Sequence, residues 1–139
     1  MSSAIFDAMQ ISASGMRTQG TRLRVISENI ANAGTTGDTP GADPYTRQTI
    51  TFKNEMDRKM GFRMVEVDEI GEDLKSDYLL KYEPDHPAAD GAGYVKYPNV
   101  KTLIEVMDSR EAQRSYEANL GMIEQARTMA LRTIDMLRG

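Results

Sequence analysis

Residues Ser3–Ala33 read SAIFDAMQISASGMRTQGTRLRVISENIANA, and this stretch decides the fold. Mostly apolar side chains recur in it at alternating steps of four and three residues. That spacing places them along one stripe of an α-helix, in the heptad pattern of a helix that packs against a partner helix. The stripe comprises Ile5, Met9, Ser12, Met16, Gln19, Leu23, Ile26 and Ile30.

This helix needs a partner, because alone it would be marginal in water. Gly15 and Gly20 each weaken it by about 1 kcal/mol relative to alanine. The carboxyl-terminal part of the chain repeats the four-three spacing and predicts a second helix, which pairs with the first in parallel or antiparallel fashion. Periodicity leaves open whether these stripes pack only within one chain or also against neighbouring subunits. The second stripe comprises Tyr116, Leu120, Ile123, Arg127, Ala130, Ile134 and Leu137.

The middle of the chain predicts a loop followed by short strands. Residues 34–44 are rich in glycine, threonine and proline, which indicates a loop that begins with Gly34 as the left-handed residue after the helix. Strands are predicted at Thr46–Phe52, Phe62–Ile70 and Asp77–Tyr82, with a short extended piece at Tyr94–Tyr97. Asn99 is predicted to cap the last helix, of about forty residues.

The predicted fold class is therefore mainly α with a small β module. The amino- and carboxyl-terminal helices pair as a coiled coil, and residues of about 45–97 form an inserted segment rich in β-hairpins. The predicted domains are a discontinuous helical domain, residues 1–34 with 99–139, and a loop and β module, residues 35–98.

Composition favours a protein that gains part of its stability from other chains. The 139 residues are 40% hydrophobic but only 6% aromatic, so the large side chains that usually anchor a core are scarce. Ten methionines offer adaptable packing in their place. A core this thin favours contacts with neighbouring subunits, although a mobile small protein would have the same composition. A helix near 60 Å long favours contacts with another chain.

Charge and hydropathy argue against several classes of partner. The formal net charge is −4 and no basic stripe is present, so neither nucleic acid nor an anionic membrane surface is expected as a partner. No apolar run approaches the roughly 18 residues that span a bilayer, and no cleaved secretory signal is visible. By itself this pattern favours the cytoplasm, although an export route that leaves its substrates uncleaved would give the same pattern.

Residues suited to catalysis or metal binding are sparse. The single histidine, His86, lies between two prolines near Asp85 and Asp90, where a role in capping backbone groups is favoured over acid–base or metal chemistry. Asp38 and Asp43 lack the spacing of a calcium loop. We therefore expect no enzyme activity, no metal, no cofactor and no small-molecule substrate.

Several motifs resemble a known family. The run SGMRTQGTRLRVISENIANAGTTG, residues 14–37, resembles the amino-terminal signature of the bacterial flagellar axial proteins, the rod and hook group. PYTRQ at residues 44–48 is similar to its continuation in the short rod proteins. YEPDHPAADGAGYVKYPNV at 82–100 and EAQRSYEAN at 111–119 add to the resemblance, which covers most of the chain.

The resemblance implies a structural subunit of the flagellar rod, the drive shaft in the periplasm that transmits torque from motor ring to hook. It implies terminal helices that form an inner coiled-coil tube around the export channel, export without a cleaved signal by the flagellar type III apparatus, and helical polymerisation. The implied partners are copies of the chain, other rod proteins, the adaptor or motor-ring components at the base of the rod, and the export apparatus.

The subunit interface is predicted on the two helical stripes and on asparagines of the family motifs. Asn29 and Asn32 lie near a helix end, where their amides either bond backbone groups at a junction or face water, and Asn119 allows the same two interpretations. Two other functions remain open: a soluble cytoplasmic coiled-coil adaptor, and an enzyme with its active site at His86. The predicted interface residues are Ile5, Met9, Met16, Leu23, Ile26, Asn29, Ile30, Asn32, Tyr116, Asn119, Leu120, Ile123, Ala130, Ile134 and Leu137.

Overall fold

Two long helices and four strands make up the computed structural model, which describes residues 2–59 and 61–139. Helix α1 spans Ser2–Ala31 and helix α2 spans Thr102–Arg138. The described elements run in the order α1, β1, β2, β3, β4, α2. The predicted fold class, mainly α with a small β region in the middle, is confirmed.

The strands lie where the β-branched and aromatic residues predicted them, but the first two are longer. Strand β1 spans Gln48–Asp57 and β2 spans Phe62–Glu72, and the two are hydrogen-bonded to each other. We call this pair the ribbon. The charged residues after Phe52, beyond the predicted end of the first strand, continue β1, and their side chains are mostly exposed to solvent.

Strands β3, Leu79–Tyr82, and β4, Tyr94–Tyr97, form a second two-stranded sheet. They pair antiparallel, with Leu79 opposite Tyr97 and Tyr82 opposite Tyr94. The latter two rings meet edge to face, with centroids 5.3 Å apart, a favourable arrangement for aromatic pairs. Gly93 precedes β4 with a φ of 86°, a conformation that suits glycine.

Two predicted helix ends were wrong. Helix α2 begins at Thr102 rather than at Asn99, whose side chain bonds other segments instead of capping the helix. Gly34 does not adopt a left-handed conformation after α1. Asn32 instead provides hydrogen bonds to a carbonyl of the last turn of α1. Its backbone N–H and its Nδ2 each donate to the Glu28 carbonyl, at 3.0 and 2.9 Å.

The chain forms two compact units, each of which combines helix and strand. The first comprises Met1–Leu23, Thr51–Glu69 and Arg110–Gly139, and the second comprises Arg24–Ile50 and Ile70–Ser109. The division at residues 34 and 98 made from the sequence stays a prediction.

Within the first unit, α1 and α2 run antiparallel. Arg22 Nη2 lies 3.5 Å from Glu111 Oε2, whereas Ile5 at the other end of α1 lies beside Ala130. Between these points, Gly15 lies against the Asn119 side chain so closely that a Cβ built on Gly15 would stand 2.8 Å from its Nδ2. The two helices therefore make contact through small residues, which allow a close approach.

The second unit contains most of the fully buried apolar side chains. Its core comprises Val25, Ile26, Ala88 and Val95. These side chains are small or medium-sized, so the apolar area that they bury is modest. This agrees with the scarcity of aromatic residues. Among the described residues, no helix is long and apolar enough to cross a membrane.

Candidate assembly interface

An apolar groove, here called groove A, lies in the first unit between the beginning of α1 and the end of α2. Residues of both predicted stripes line it, together with Phe6, which the sequence analysis did not select. Because its walls are mainly apolar, contact with another apolar surface would remove them from water. The main lining residues are Ile5, Phe6, Met9, Ala130, Ile134 and Leu137.

A second apolar groove, groove B, is formed by other faces of the same two helices. One wall consists of the small residues Ala4 and Ala8 with Ile5, and the other consists of Met122, Gln125, Ala126 and Met129. Small residues on one side and flexible thioethers on the other give a groove that can adapt to an inserted side chain. Ile5 belongs to the predicted stripe of α1, whereas Met122 and Met129 lie outside the predicted stripe of α2.

The line of contact between α1 and α2 differs from the stripe predicted on α2. Ala112 and Ala126 are buried and Asn119 is half-buried, at a spacing of seven residues. Within the predicted stripe, Ile123 and Ala130 are half-buried as well. The other apolar members of that stripe stay exposed, and so do several neighbouring residues outside it. The exposed apolar residues of α2 in this unit are Tyr116, Leu120, Met122, Met129, Leu131, Ile134, Met136 and Leu137.

The predicted residues of α1 change surroundings along the helix. Met16 and Leu23 are half-buried in the first unit. In the second unit, Ile26 and Asn29 are buried, while Ile30 and Asn32 are half-buried. Buried hydroxyls on the same helix satisfy themselves locally: Ser14 Oγ donates to the Ile11 carbonyl at 2.6 Å and Thr18 Oγ1 to the Gly15 carbonyl at 2.8 Å.

A polar junction in the second unit holds the segment Tyr45–Gln48 at the start of β1. Asn29 Oδ1 accepts from the Tyr45 hydroxyl and from the Gln48 N–H, both at 2.8 Å, and Asn29 Nδ2 donates to the Gln48 carbonyl at 2.9 Å. The Asn29 amide thus bonds both the N–H and the carbonyl of Gln48, as a residue of a neighbouring strand would. Its amide bonds backbone groups, the first of the two interpretations offered by the sequence.

Arg47, which directly precedes Gln48, is bound by Asn99 and Glu105. Its N–H donates to Asn99 Oδ1 at 2.8 Å, and its Nε forms an ion pair with Glu105 Oε1. Asn99 Nδ2 donates in turn to the carbonyls of Asp73 and Ser76. Asn99 therefore ties the start of β1 to the turn that follows β2.

Glu105 is the most deeply buried charged group that the structure describes, with 1% of its surface exposed. Its Oε2 is buried without a hydrogen-bond partner, so the Arg47 ion pair is its main compensation. A buried carboxylate of this kind depends strongly on its one cation. Burial, followed by the charges of Glu28 and Glu105, raises the pKa of the nearby Tyr45 phenol above its ordinary value of 10.0.

At the turn after β2, hydrogen bonds stabilise a charged carboxylate. The Ser76 hydroxyl donates to Asp73 Oδ2 at 2.7 Å, and the N–H groups of Lys75 and Ser76 donate to Asp73 Oδ1 at 3.1 Å. Because the Ser76 bonds favour the ionised form, they lower the pKa of Asp73.

His86 makes contacts that organise its loop. Its Nδ1 accepts a hydrogen bond from the Ala88 N–H at 3.0 Å, and its Nε2 lies 3.4 Å from Thr36 Oγ1. Within residues 2–59 and 61–139, no group of three or more histidine, aspartate or glutamate side chains is placed to hold a metal ion. The structure thus gives His86 a backbone-capping contact.

Sequence reasoning missed the junction residues Tyr45, Arg47, Gln48, Asn99 and Glu105. The PYTRQ motif was a signal for three of them, but nothing local indicated their partners. Asn99 was predicted to cap the last helix, and nothing in the sequence distinguishes Glu105 from the other charged residues of that helix.

Two family models match the chain. The one described as "Flagella basal body rod protein" matches residues 9–37, which include Asn29. The one described as "Flagellar basal body rod FlgEFG protein C-terminal" matches residues 92–136, which include Asn99 and Glu105. Much of both helices, with the α1 and α2 partners of the junction, thus lies in the matched regions.

Curated relatives are similar over nearly the full length of the chain. It is 53% identical over 131 residues to the flagellar basal-body rod protein FlgC of Agrobacterium fabrum, covering 94% of each chain. It is 35% identical to the FlgC protein of Borreliella burgdorferi, covering 97% of this chain and 99% of that one. It is 32% identical to the FlgC protein of Bacillus subtilis, covering 94% and 97%. This chain belongs to the family of flagellar basal-body rod proteins FlgC.

Proposed function

We propose that this protein is a structural subunit of the bacterial flagellar rod and assembles with other rod components through its two helices. The observation that carries the proposal is the arrangement of side chains on those helices. In the first unit the fully buried side chains of the helices are small, whereas most of the large apolar residues line grooves A and B or stay exposed. Grooves A and B and the exposed apolar residues are therefore available for contact with neighbouring rod subunits.

Assembly would bury the apolar side chains that a single chain leaves exposed on its helices. Burial stabilises by about 25 cal/mol for each Å² of apolar surface removed from water. Leu137 and Ile134 contribute little while exposed, and each would gain on contact with a neighbour. Assembly would therefore stabilise the helices themselves, since binding to the folded form shifts the folding equilibrium.

The proposal also includes the position of the subunit in the flagellum and the way in which it transmits torque. We place the subunit in the proximal rod within the periplasm, exported without a cleaved signal by the flagellar type III apparatus, with its helices around the export channel. Torque would pass through many packed contacts in parallel. Copies of this chain, other rod proteins and components at the base of the rod are the proposed partners, and no catalytic step is required.

The comparisons give no support to the alternative of a soluble coiled-coil adaptor. The two functions differ in a measurable way, because an adaptor forms a complex of fixed stoichiometry, while a rod subunit is incorporated into basal bodies. An active site at His86 has no further observation in its favour.

The test is complementation of an Agrobacterium fabrum strain that lacks its own FlgC gene. We expect this chain to restore swimming and rod-bearing basal bodies. The variant Ile134→Ser with Leu137→Ser should fold, because both side chains are exposed, but should fail to form rods. A matched control, Leu74→Ser with Leu79→Ser, changes two exposed leucines outside the helices and should restore swimming. Equal swimming of all three proteins would contradict the role of groove A.

A further inference from the structure

Three exposed methionines lie on one line of α2. Met122, Met129 and Met136 are spaced by seven residues, which keeps them on nearly the same face of a helix. Their exposed fractions are 54%, 52% and 76%. We call this row the methionine stripe.

The stripe adjoins a groove suited to a neighbouring helix. Met122 and Met129 form part of one wall of groove B, opposite Ala4 and Ala8. A heptad-spaced apolar row is the pattern by which one helix packs against another. On the proposed function, its occupant is a helix of a neighbouring rod subunit.

Methionine is also the chain's only readily oxidised sulfur side chain, because the sequence contains ten methionines and no cysteine. Susceptibility to oxidation increases with solvent access. Met9, Met16 and Met64 are half-buried, whereas the stripe is open to solvent. An oxidant that reaches an unassembled subunit therefore meets the stripe before those three residues.

We propose that the methionine stripe is an oxidation-sensitive site that controls whether the subunit can join the rod. Hydrogen peroxide transfers one oxygen atom to the thioether sulfur: the O–O bond breaks, an S–O bond forms, the sulfur loses two electrons and the second oxygen leaves as water. The resulting sulfoxide is polar and chiral. It disfavours packing of this face against an apolar helix, because a buried polar group needs a hydrogen-bond partner.

The inference depends on the proposed function, since a rod subunit buries this face only after assembly. The consequence is a difference in sensitivity between two states of the same protein. Free subunits are open to oxidation at the stripe, whereas subunits already in the rod are shielded. Methionine sulfoxide reductases reverse the modification, so the block is not permanent.

The chemical part is tested on the purified chain with hydrogen peroxide and peptide mass mapping. We expect Met122, Met129 and Met136 to be oxidised at least about threefold faster than Met9 and Met16, in line with their exposure. Rates for the stripe equal to or below those of the half-buried methionines would overturn the proposal.

The assembly part uses variants in the Agrobacterium fabrum strain without its own FlgC gene. Glutamine imitates the polarity of the sulfoxide, so Met122→Gln with Met129→Gln and Met136→Gln should reduce rod-bearing basal bodies about tenfold or more, the effect of one poorly compensated polar group. The matched control, Met56→Gln, changes an exposed methionine of the ribbon, outside both helices, and should assemble normally. Normal assembly of the stripe variant would overturn the proposal.

A leucine variant covers the case in which the glutamine variant does not fold. Met122→Leu with Met129→Leu and Met136→Leu keeps the stripe apolar but removes its sulfur atoms. When peroxide is applied during rod formation, cells with the leucine variant should keep forming rods and cells with the unaltered chain should lose them. Equal loss in both would place the sensitive site elsewhere. Failure of the unaltered chain to form rods without peroxide would instead count against the proposed function.

Discussion

Asn29 bonds both backbone groups of Gln48, accepting from its N–H at 2.8 Å and donating to its carbonyl at 2.9 Å. A side chain on α1 thus takes the place of a neighbouring strand where β1 begins. The Tyr45 hydroxyl completes the arrangement by donating to the same Asn29 oxygen. The position of the ribbon's first residue is therefore fixed by one amide.

Replacement of Asn29 should destabilise the chain. Asn29→Ala removes three hydrogen bonds and leaves the backbone groups of Gln48 without this partner, so we expect the free energy of unfolding to fall by about 3 kcal/mol. Urea unfolding followed by circular dichroism measures the change. The control Asn54→Ala alters an exposed asparagine on the ribbon and should change it by less than about 0.5 kcal/mol. Equal urea concentrations at the unfolding midpoint for the two variants would refute the structural role of Asn29.

The Arg47–Glu105 pair should behave as a buried ion pair. Arg47→Met leaves Glu105 buried without its cation and is expected to cost about 3–5 kcal/mol. Adding Glu105→Leu removes the stranded charge, so the double variant should recover much of that loss.

A double-mutant cycle in urea measures the coupling between these two residues. The Arg22–Glu111 pair is a suitable reference, because the Glu111 side chain is 70% exposed and the atoms are 3.5 Å apart. Its coupling should stay below about 1 kcal/mol. If both cycles give the same small value, Glu105 is better solvated than its burial indicates.

Gly15 and Gly20 should respond differently to alanine. Nothing lies within 4 Å of a Cβ built on Gly20, so Gly20→Ala should stabilise α1 by about 1 kcal/mol. At Gly15 the same gain is offset because the new methyl group would displace the Asn119 amide from the Ser115 carbonyl, which it bonds at 2.9 Å.

Thermal unfolding of four variants tests this difference: Gly15→Ala and Gly20→Ala, each with and without Asn119→Ala. Gly15→Ala should stabilise only when Asn119→Ala is also present, whereas Gly20→Ala should stabilise in both backgrounds. Stabilisation by Gly15→Ala alone would mean that the helices can move apart at no cost.

The lowered pKa of Asp73 gives a stability contribution with a definite pH dependence. Since the folded-state pKa lies below the unfolded value, the contribution is present above the unfolded pKa and is lost as pH falls through the folded pKa. Ser76→Ala should raise the pKa of Asp73 toward its ordinary value and weaken this acid dependence. Carboxyl ¹³C titration by NMR measures the pKa directly, and an unchanged value would assign the shift to another cause.

Periodicity predicted the helices because it is a local property of the chain. The alternating steps of four and three residues located α1 and α2, and β-branched residues located the strands. The same logic failed at Asn99, where a side chain that ordinarily caps a helix instead bonds Arg47 and two carbonyls of another segment. A local propensity was overridden by partners distant in sequence.

The contact line on α2 shows a second limit of sequence reasoning. Ala112, Asn119 and Ala126 have the same seven-residue spacing as the larger apolar side chains, so periodicity alone cannot choose between neighbouring stripes. Hydrophobicity favoured the larger side chains. The structure uses small ones because Gly15 permits close approach of the two helices.

The ribbon's charged side chains have a consequence for aggregation. Exposed strand edges invite edge-to-edge pairing with other chains, and charged residues oppose it. Lys53 and Glu55 on β1 and Asp68 on β2 are exposed and close to one another, with Lys53 Nζ 3.6 Å from Glu55 and 3.9 Å from Asp68. A second ribbon would have to desolvate these ions in order to pair. These charges therefore oppose amyloid-like growth of the chain through its ribbon.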